Sequence, residues 1–133
     1  MEEKWIRWEP IPNLAKKYYV ESITDNTDGL KIVLYNDLDE KVLVLFPDTL
    51  RSYRNTCESF LVETIEDLEE NYGSDFYGQW TFFRVTNSQY LKSLNEESYG
   101  ISERYDFKHF CLLTMEAMID IATGSEPTVE FTK

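Results

Sequence analysis

The chain carries a single histidine, His109, two cysteines, Cys57 and Cys111, and an aspartate, Asp120, set inside the apolar run MIDIA. His109 and Cys111 are two residues apart, so on one strand their side chains share a face. A cysteine–histidine nucleophile pair needs hydrogen-bond reach between sulfur and imidazole, and a third group to orient the ring. Side chains at i and i+2 stand about 6–7 Å apart along a strand, too far for direct proton transfer. We therefore expect a packed structural pair. One histidine and two distant cysteines match no zinc spacing, so neither a metal nor another cofactor is expected. Asp120 is expected to face solvent, a buried hydrogen-bonded carboxylate or a site residue being the alternatives.

The remaining carboxylates offer little for catalysis. Asp25 and Asp28 flank one turn and Asp37 and Asp39 sit in another, and neither loop has the acidic spacing, central glycine and distal glutamate of an EF-hand. Aspartate and asparagine are ordinary turn residues, because their side chains bond to the nearby backbone. No glycine-rich phosphate loop, Walker motif, GxSxG or HExxH is present. No catalytic residue is assigned, and the chain is read as a non-enzyme.

The elements that would position these residues follow from periodicity and turn chemistry. Residues 1–12 form an extended N-terminal arm, since each proline in WIRWEPIP pushes its predecessor out of the helical region. Lys17–Thr24, Leu30–Tyr35 and Lys41–Phe46 read as strands of an antiparallel meander, joined at DNTDG and NDLDE. In KVLVLF, Val42, Val44 and Phe46 face one side and Leu43 and Leu45 the other, which predicts a central strand covered on both faces. Leu50–Thr56 is assigned as a further strand. A helix is predicted around Ile65, Leu68 and Tyr72, with Thr64 and Asp67 as a capping box and Gly73 as its stop. Gln79–Val85 reads as a strand, and Thr86-Asn87-Ser88 provides a cap for a short helix over Gln89–Asn95 with Leu91 and Leu94 inward. Glu96–Arg104 is a polar connection, Phe107–Thr114 and Ala117–Ala122 a strand pair, and Thr128–Phe131 a last edge strand. The sum is one α+β domain over 1–133, with a mainly antiparallel sheet of about six or seven strands and two short helices.

Composition restricts the partners. At 133 residues, 42% apolar and 29% charged, the chain can hold a core without metals or disulfides. Its formal charge of −12 repels phosphate backbones and anionic membranes, so neither nucleic acid nor a membrane is an expected partner. There is no apolar run long enough to span a bilayer, and MEEKWIRWEP lacks the apolar core of a signal peptide. Two cysteines make no disulfide framework, and a cytoplasmic protein with reduced thiols is expected.

One stretch stands out. VETIEDLEENYGSDFYGQW carries Glu63, Glu66, Asp67, Glu69, Glu70 and Asp75, and no Lys or Arg lies between Arg54 and Arg84. Glu66 and Asp67 suit the first turn of the helix, where the dipole favours anions. Glu69 and Glu70 lie near its other end, where the dipole opposes them, so helix stability does not explain them.

The runs WEPIPNLAKKYYVESI, YGQWTFFRVTNSQYLKSL and IDIATGSEPTVEF resemble small acidic immunity proteins of Bacillus-like bacteria, encoded beside polymorphic or contact-dependent toxins. That resemblance implies a cytoplasmic antitoxin which occludes a basic, nuclease-type toxin domain and performs no chemistry itself. The expected contacts are Glu66, Glu69, Glu70, Tyr72, Asp75 and Tyr77. The competing reading is a generic protein-interaction or small-ligand-binding domain without a toxin partner.

Overall fold

The computed structural model describes residues 3–132. In chain order its elements are β1 (Lys4–Arg7), β2 (Tyr19–Asn26), β3 (Gly29–Tyr35), β4 (Lys41–Phe46), β5 (Arg51–Cys57), a 3-10 turn (Glu58–Phe60), α1 (Val62–Tyr72), α2 (Ser74–Gly78), β6 (Phe82–Thr86), α3 (Gln89–Glu97), α4 (Ile101–Arg104), β7 (Lys108–Leu113), β8 (Ala117–Thr123) and β9 (Thr128–Thr132). The α+β class is the expected one. The strands divide into two antiparallel sheets, ordered β1-β6-β7-β8-β5 and β2-β3-β4-β9.

The β2–β3–β4 meander forms because its turns are chemically specified. Asn26 Oδ1 accepts the Asp28 N–H at 2.8 Å, and Asn36 Oδ1 accepts those of Leu38 at 3.0 Å and Glu40 at 3.1 Å. Gly29 opens β3 with φ of 118°, and a Cβ there would stand 2.1 Å from the Phe46 carbonyl oxygen. No other residue fits that approach.

The two sheets pack face to face. Leu30, Ile32, Leu34, Val42, Val44 and Phe46 from one meet Phe82, Phe110, Leu112, Ile119 and Ile121 from the other, all fully buried. Phe110 stands at 5.4 Å from Phe46 and 5.2 Å from Trp8 between ring centroids, so the connection after β1 closes one side of this core. On the far face of the five-stranded sheet lies a second core of Trp5, Phe83, Val85, Cys111, Leu113 and Met118, under Leu61 and Leu68 of the α1 region. The molecule is therefore three layers deep: helices, five-stranded sheet, four-stranded sheet.

This layering corrects the reading of KVLVLF. Strand β4 is central, between β3 and β9, but only Val42, Val44 and Phe46 are buried, and Leu43 and Leu45 are half-buried on an open face. The doubly covered strands are β7 and β8, where every residue from His109 to Leu113 and from Met118 to Thr123 is buried. Polar residues at His109 and Asp120 had masked that pattern.

Helix α1 also begins earlier than the Thr64–Asp67 box implies. The 3-10 turn runs straight into it, Leu61 is its N-cap with no side-chain bond, and the Ile65 N–H already donates to the Leu61 carbonyl at 2.9 Å. Thr64 is thereby inside the first turn. Gly73 ends the helix as expected, at φ of 86°. Residues 74–78 continue as α2, which delays the β6 strand to Phe82. In α3 the deepest residue is Tyr90, with Leu91 and Leu94 half-buried, and the polar connection after it contains the short helix α4.

Lys17 joins the layers. Its ammonium donates to the carbonyls of Tyr77 at 2.8 Å, Trp80 at 2.6 Å and Leu113 at 2.6 Å. Burial lowers its pKa to about 8, which still leaves it charged at neutral pH. Replacing it with methionine keeps the aliphatic stem and removes the ammonium donor from three part-buried carbonyls. We expect Lys17→Met to lose about 2–4 kcal/mol in urea denaturation. A loss below about 1 kcal/mol would show that water substitutes for the ammonium.

Candidate functional site

Two places in the fold have chemistry to offer: a buried polar network on the helix side of the five-stranded sheet, and the acidic surface of α1 and α2.

The network begins in the β7–β8 register. Cys111 pairs with Asp120 and His109 with Ala122, and on the other flank Arg54 of β5 pairs with Asp120. His109, Asp120 and Arg54 thus converge on one face. His109 Nε2 lies 2.6 Å from Asp120 Oδ1, and Arg54 Nε donates to Asp120 Oδ2 at 2.8 Å. The other ring nitrogen, Nδ1, lies 2.6 Å from the Ser88 hydroxyl. Facing a carboxylate, Nε2 carries the proton, so in the neutral ring Nδ1 accepts the Ser88 hydroxyl hydrogen. Tyr90 roofs the group: its ring stands edge-on to His109, the Arg54 guanidinium lies over it at 4.3 Å, and its hydroxyl is 2.7 Å from Ser52 Oγ.

Asp120 does not face solvent. It is fully buried, contrary to the expectation from MIDIA. Burial alone would push its carboxyl up, but hydrogen bonds and charge from His109 and Arg54 outweigh it and hold the group below the usual carboxylate range. Next to it, burial pushes the Cys111 thiol well up, and the carboxylate of Asp120 adds to that. Cys111 is therefore an inert packed thiol, and Cys57 is a free thiol on the surface.

A serine, a histidine and an aspartate in hydrogen-bonded order raise the question of nucleophilic catalysis. Two features of the geometry bear on it. The Ser88 hydroxyl is the N-cap of α3, accepting the Leu91 N–H at 3.1 Å, and Ser88 is buried although it lines a cleft of about 260 Å³. Asp120 divides its charge between His109 and Arg54. Both ring nitrogens of His109, both carboxylate oxygens of Asp120 and the Ser88 hydroxyl have partners within the protein, as buried polar groups require. The work of this relay is to hold β5, β7, β8 and the start of α3 together. Among the described residues no group of three His, Cys, Asp or Glu side chains converges as a metal site.

The acidic surface is built differently. Leu68 is buried, Ile65 is half-buried, and Glu63, Glu66, Asp67, Glu69 and Glu70 are exposed. The helix pair is docked onto β1 by two long-range contacts. The Tyr72 hydroxyl accepts the Trp5 N–H at 3.0 Å, and Arg7 donates to the carbonyls of Asp75 at 2.6 Å and Phe76 at 2.9–3.1 Å. None of these helix carboxylates, nor Asp75, forms an ion pair among the described residues.

The six residues expected to make contacts therefore separate. Glu66, Glu69, Glu70 and Asp75 are on the surface. Tyr72 is partly exposed but stacks on Phe76 at 4.4 Å, and Tyr77 is half-buried against the helix-side core. Sequence reasoning did not bring Ser88, Tyr90 and Arg54 to His109. The available signal was the paired interruption of two apolar strands by His109 and Asp120. Comparison with family models, curated proteins and solved structures finds no match.

The stability that Asp120 supplies is complete above the unfolded carboxylate pKa of about 4 and is lost as pH falls through its lower folded value. Asp120→Asn should flatten the acid side of the stability–pH curve. At pH 7 it should cost about 3–5 kcal/mol, because Arg54 and His109 lose their carboxylate. Thermal unfolding across pH 2–7 reads both effects. A parallel downward shift of the whole curve would remove Asp120 from the acid limb.

Proposed function

We propose that this chain is a cytoplasmic immunity protein that binds a basic, nuclease-type toxin domain and blocks it by occlusion. The observation that carries this reading is the unpaired acidic surface of a firmly docked helix. Seven carboxylates, from Glu58 to Asp75, lie in a 29-residue interval, 55–83, without a single Lys or Arg. Charges left unneutralised project a field into solvent, which steers an oppositely charged protein toward the surface. Glu69 and Glu70 sit against the helix dipole, where they cost the free protein stability and favour a cationic partner. The net charge of −12 and the resemblance to small acidic immunity proteins point the same way. No step of this mechanism needs a catalytic group. Among the described residues, no helix is long and apolar enough to cross a membrane.

The reading expects a toxin gene beside this one, and co-expression with that gene tests it directly: cells should grow only when this chain is present. Reversing three charges, Glu66→Lys, Glu69→Lys and Glu70→Lys, should slow association with the purified toxin domain by roughly 10–100-fold at low salt and flatten its salt dependence. Dissociation should change little. Unaltered association kinetics would take this helix out of the interface.

A further inference from the structure

We propose that the apolar anchor of this interface lies at the head of α1, where Phe60, Val62 and Met115 enter an apolar pocket of the basic partner. The proposal rests on the binding reading above and moves the centre of contact away from the Tyr72–Tyr77 end. Phe60 is 81% exposed, Val62 63% and Met115 44%. Scattered exposed apolar residues are normal, but these three come from two adjoining turns. The Glu58 N–H donates to the Glu116 carbonyl at 2.9 Å, which sets the Met115–Glu116 turn beside the Glu58–Phe60 turn.

Both turns are held. Leu61, the residue between Phe60 and Val62, is buried, its N–H donates to the Glu58 carbonyl at 3.0 Å, and its carbonyl accepts from Ile65 at 2.9 Å. The Met115 N–H donates to the Tyr18 carbonyl at 2.9 Å. An exposed ring on a backbone pinned in this way has already lost much of the freedom that binding would remove. Phenylalanine and methionine are among the residues enriched at the centres of interfaces.

The surroundings select the occupant. Glu58, Glu63, Glu66 and Glu116 are exposed around these turns and residues 55–83 contain no cation, while Lys17, which interacts with Glu58, commits its ammonium to three backbone carbonyls. An apolar centre with a carboxylate rim fits a hydrophobic pocket flanked by lysine and arginine. A second copy of this chain would bring the same negative rim and be repelled. Anchor and rim act on different rate constants: the rim governs encounter, and the desolvated rings govern dissociation.

The probe is the inactivated domain of the toxin that the binding reading expects beside this gene, with rates measured against wild type, Phe60→Ser/Val62→Ser and the control Tyr99→Ser, whose ring is 99% exposed outside the patch. The double variant should dissociate at least roughly tenfold faster, with association rate and salt dependence preserved, and Tyr99→Ser should match wild type. Wild-type dissociation by the double variant would overturn the anchor and leave the binding reading standing. Failure of the wild-type chain to bind would sink both. A self-association of the free chain abolished by the double variant would assign the patch to a second copy and overturn the proposal.

Discussion

A carboxylate in the middle of a covered sheet has no water to stabilise it, so the protein must supply every hydrogen bond and the opposing charge itself. Asp120 is in that position, and the residues that answer it, directly or through a neighbour, come from three separate elements. His109 arrives from β7, Arg54 from β5, and Ser88 and Tyr90 from the start of α3. The order of the five-stranded sheet follows the same need: β8 lies between the strand carrying the histidine and the strand carrying the arginine. Ser88 serves twice, as helix cap and as partner of His109, so α3 cannot leave the sheet without exposing both deficits.

The other half of the helix layer depends on packing and on backbone acceptors. Leu61 and Leu68 fill the space over Phe83 and Cys111, while Arg7, Lys17 and the Tyr72 hydroxyl tie the helix pair and the chain that follows it to β1 and β7. Two of the few cations of this acidic chain, Arg7 and Lys17, spend their hydrogen bonds on carbonyl oxygens, not on carboxylates. That choice leaves the outward carboxylates of α1 unneutralised. The electrostatic character of the surface is thus a consequence of how the fold is fastened beneath it.

Much of the local structure was legible. The hairpin turns at Asn26 and Asn36, the stop at Gly73, a helix cap within Thr86–Ser88 and the strand pair around Met115–Glu116 all follow from side chains acting on their own neighbourhood. Expectations failed where a longer range decided the outcome. Thr64 matched a capping pattern, but the preceding 3-10 turn started the helix sooner. Leu43 and Leu45 matched a doubly covered strand, but among the described residues no layer packs beyond the four-stranded sheet. Asp120 read as a surface residue because its arginine lies 66 positions away, where no periodicity connects them.

The sequence by itself determined the α+β class, the positions of most strands, an acidic helix without cations and a strongly negative net charge, because these depend on composition, turn chemistry and short-range periodicity. Only the tertiary structure decided that the strands form two sheets, which of their faces the helices cover, and that Asp120 is buried while Phe60 stands exposed. Those outcomes belong to the pairing of distant strands and the stacking of layers. Burial is a property of what lies opposite a side chain, and a single chain written in order does not say what that is.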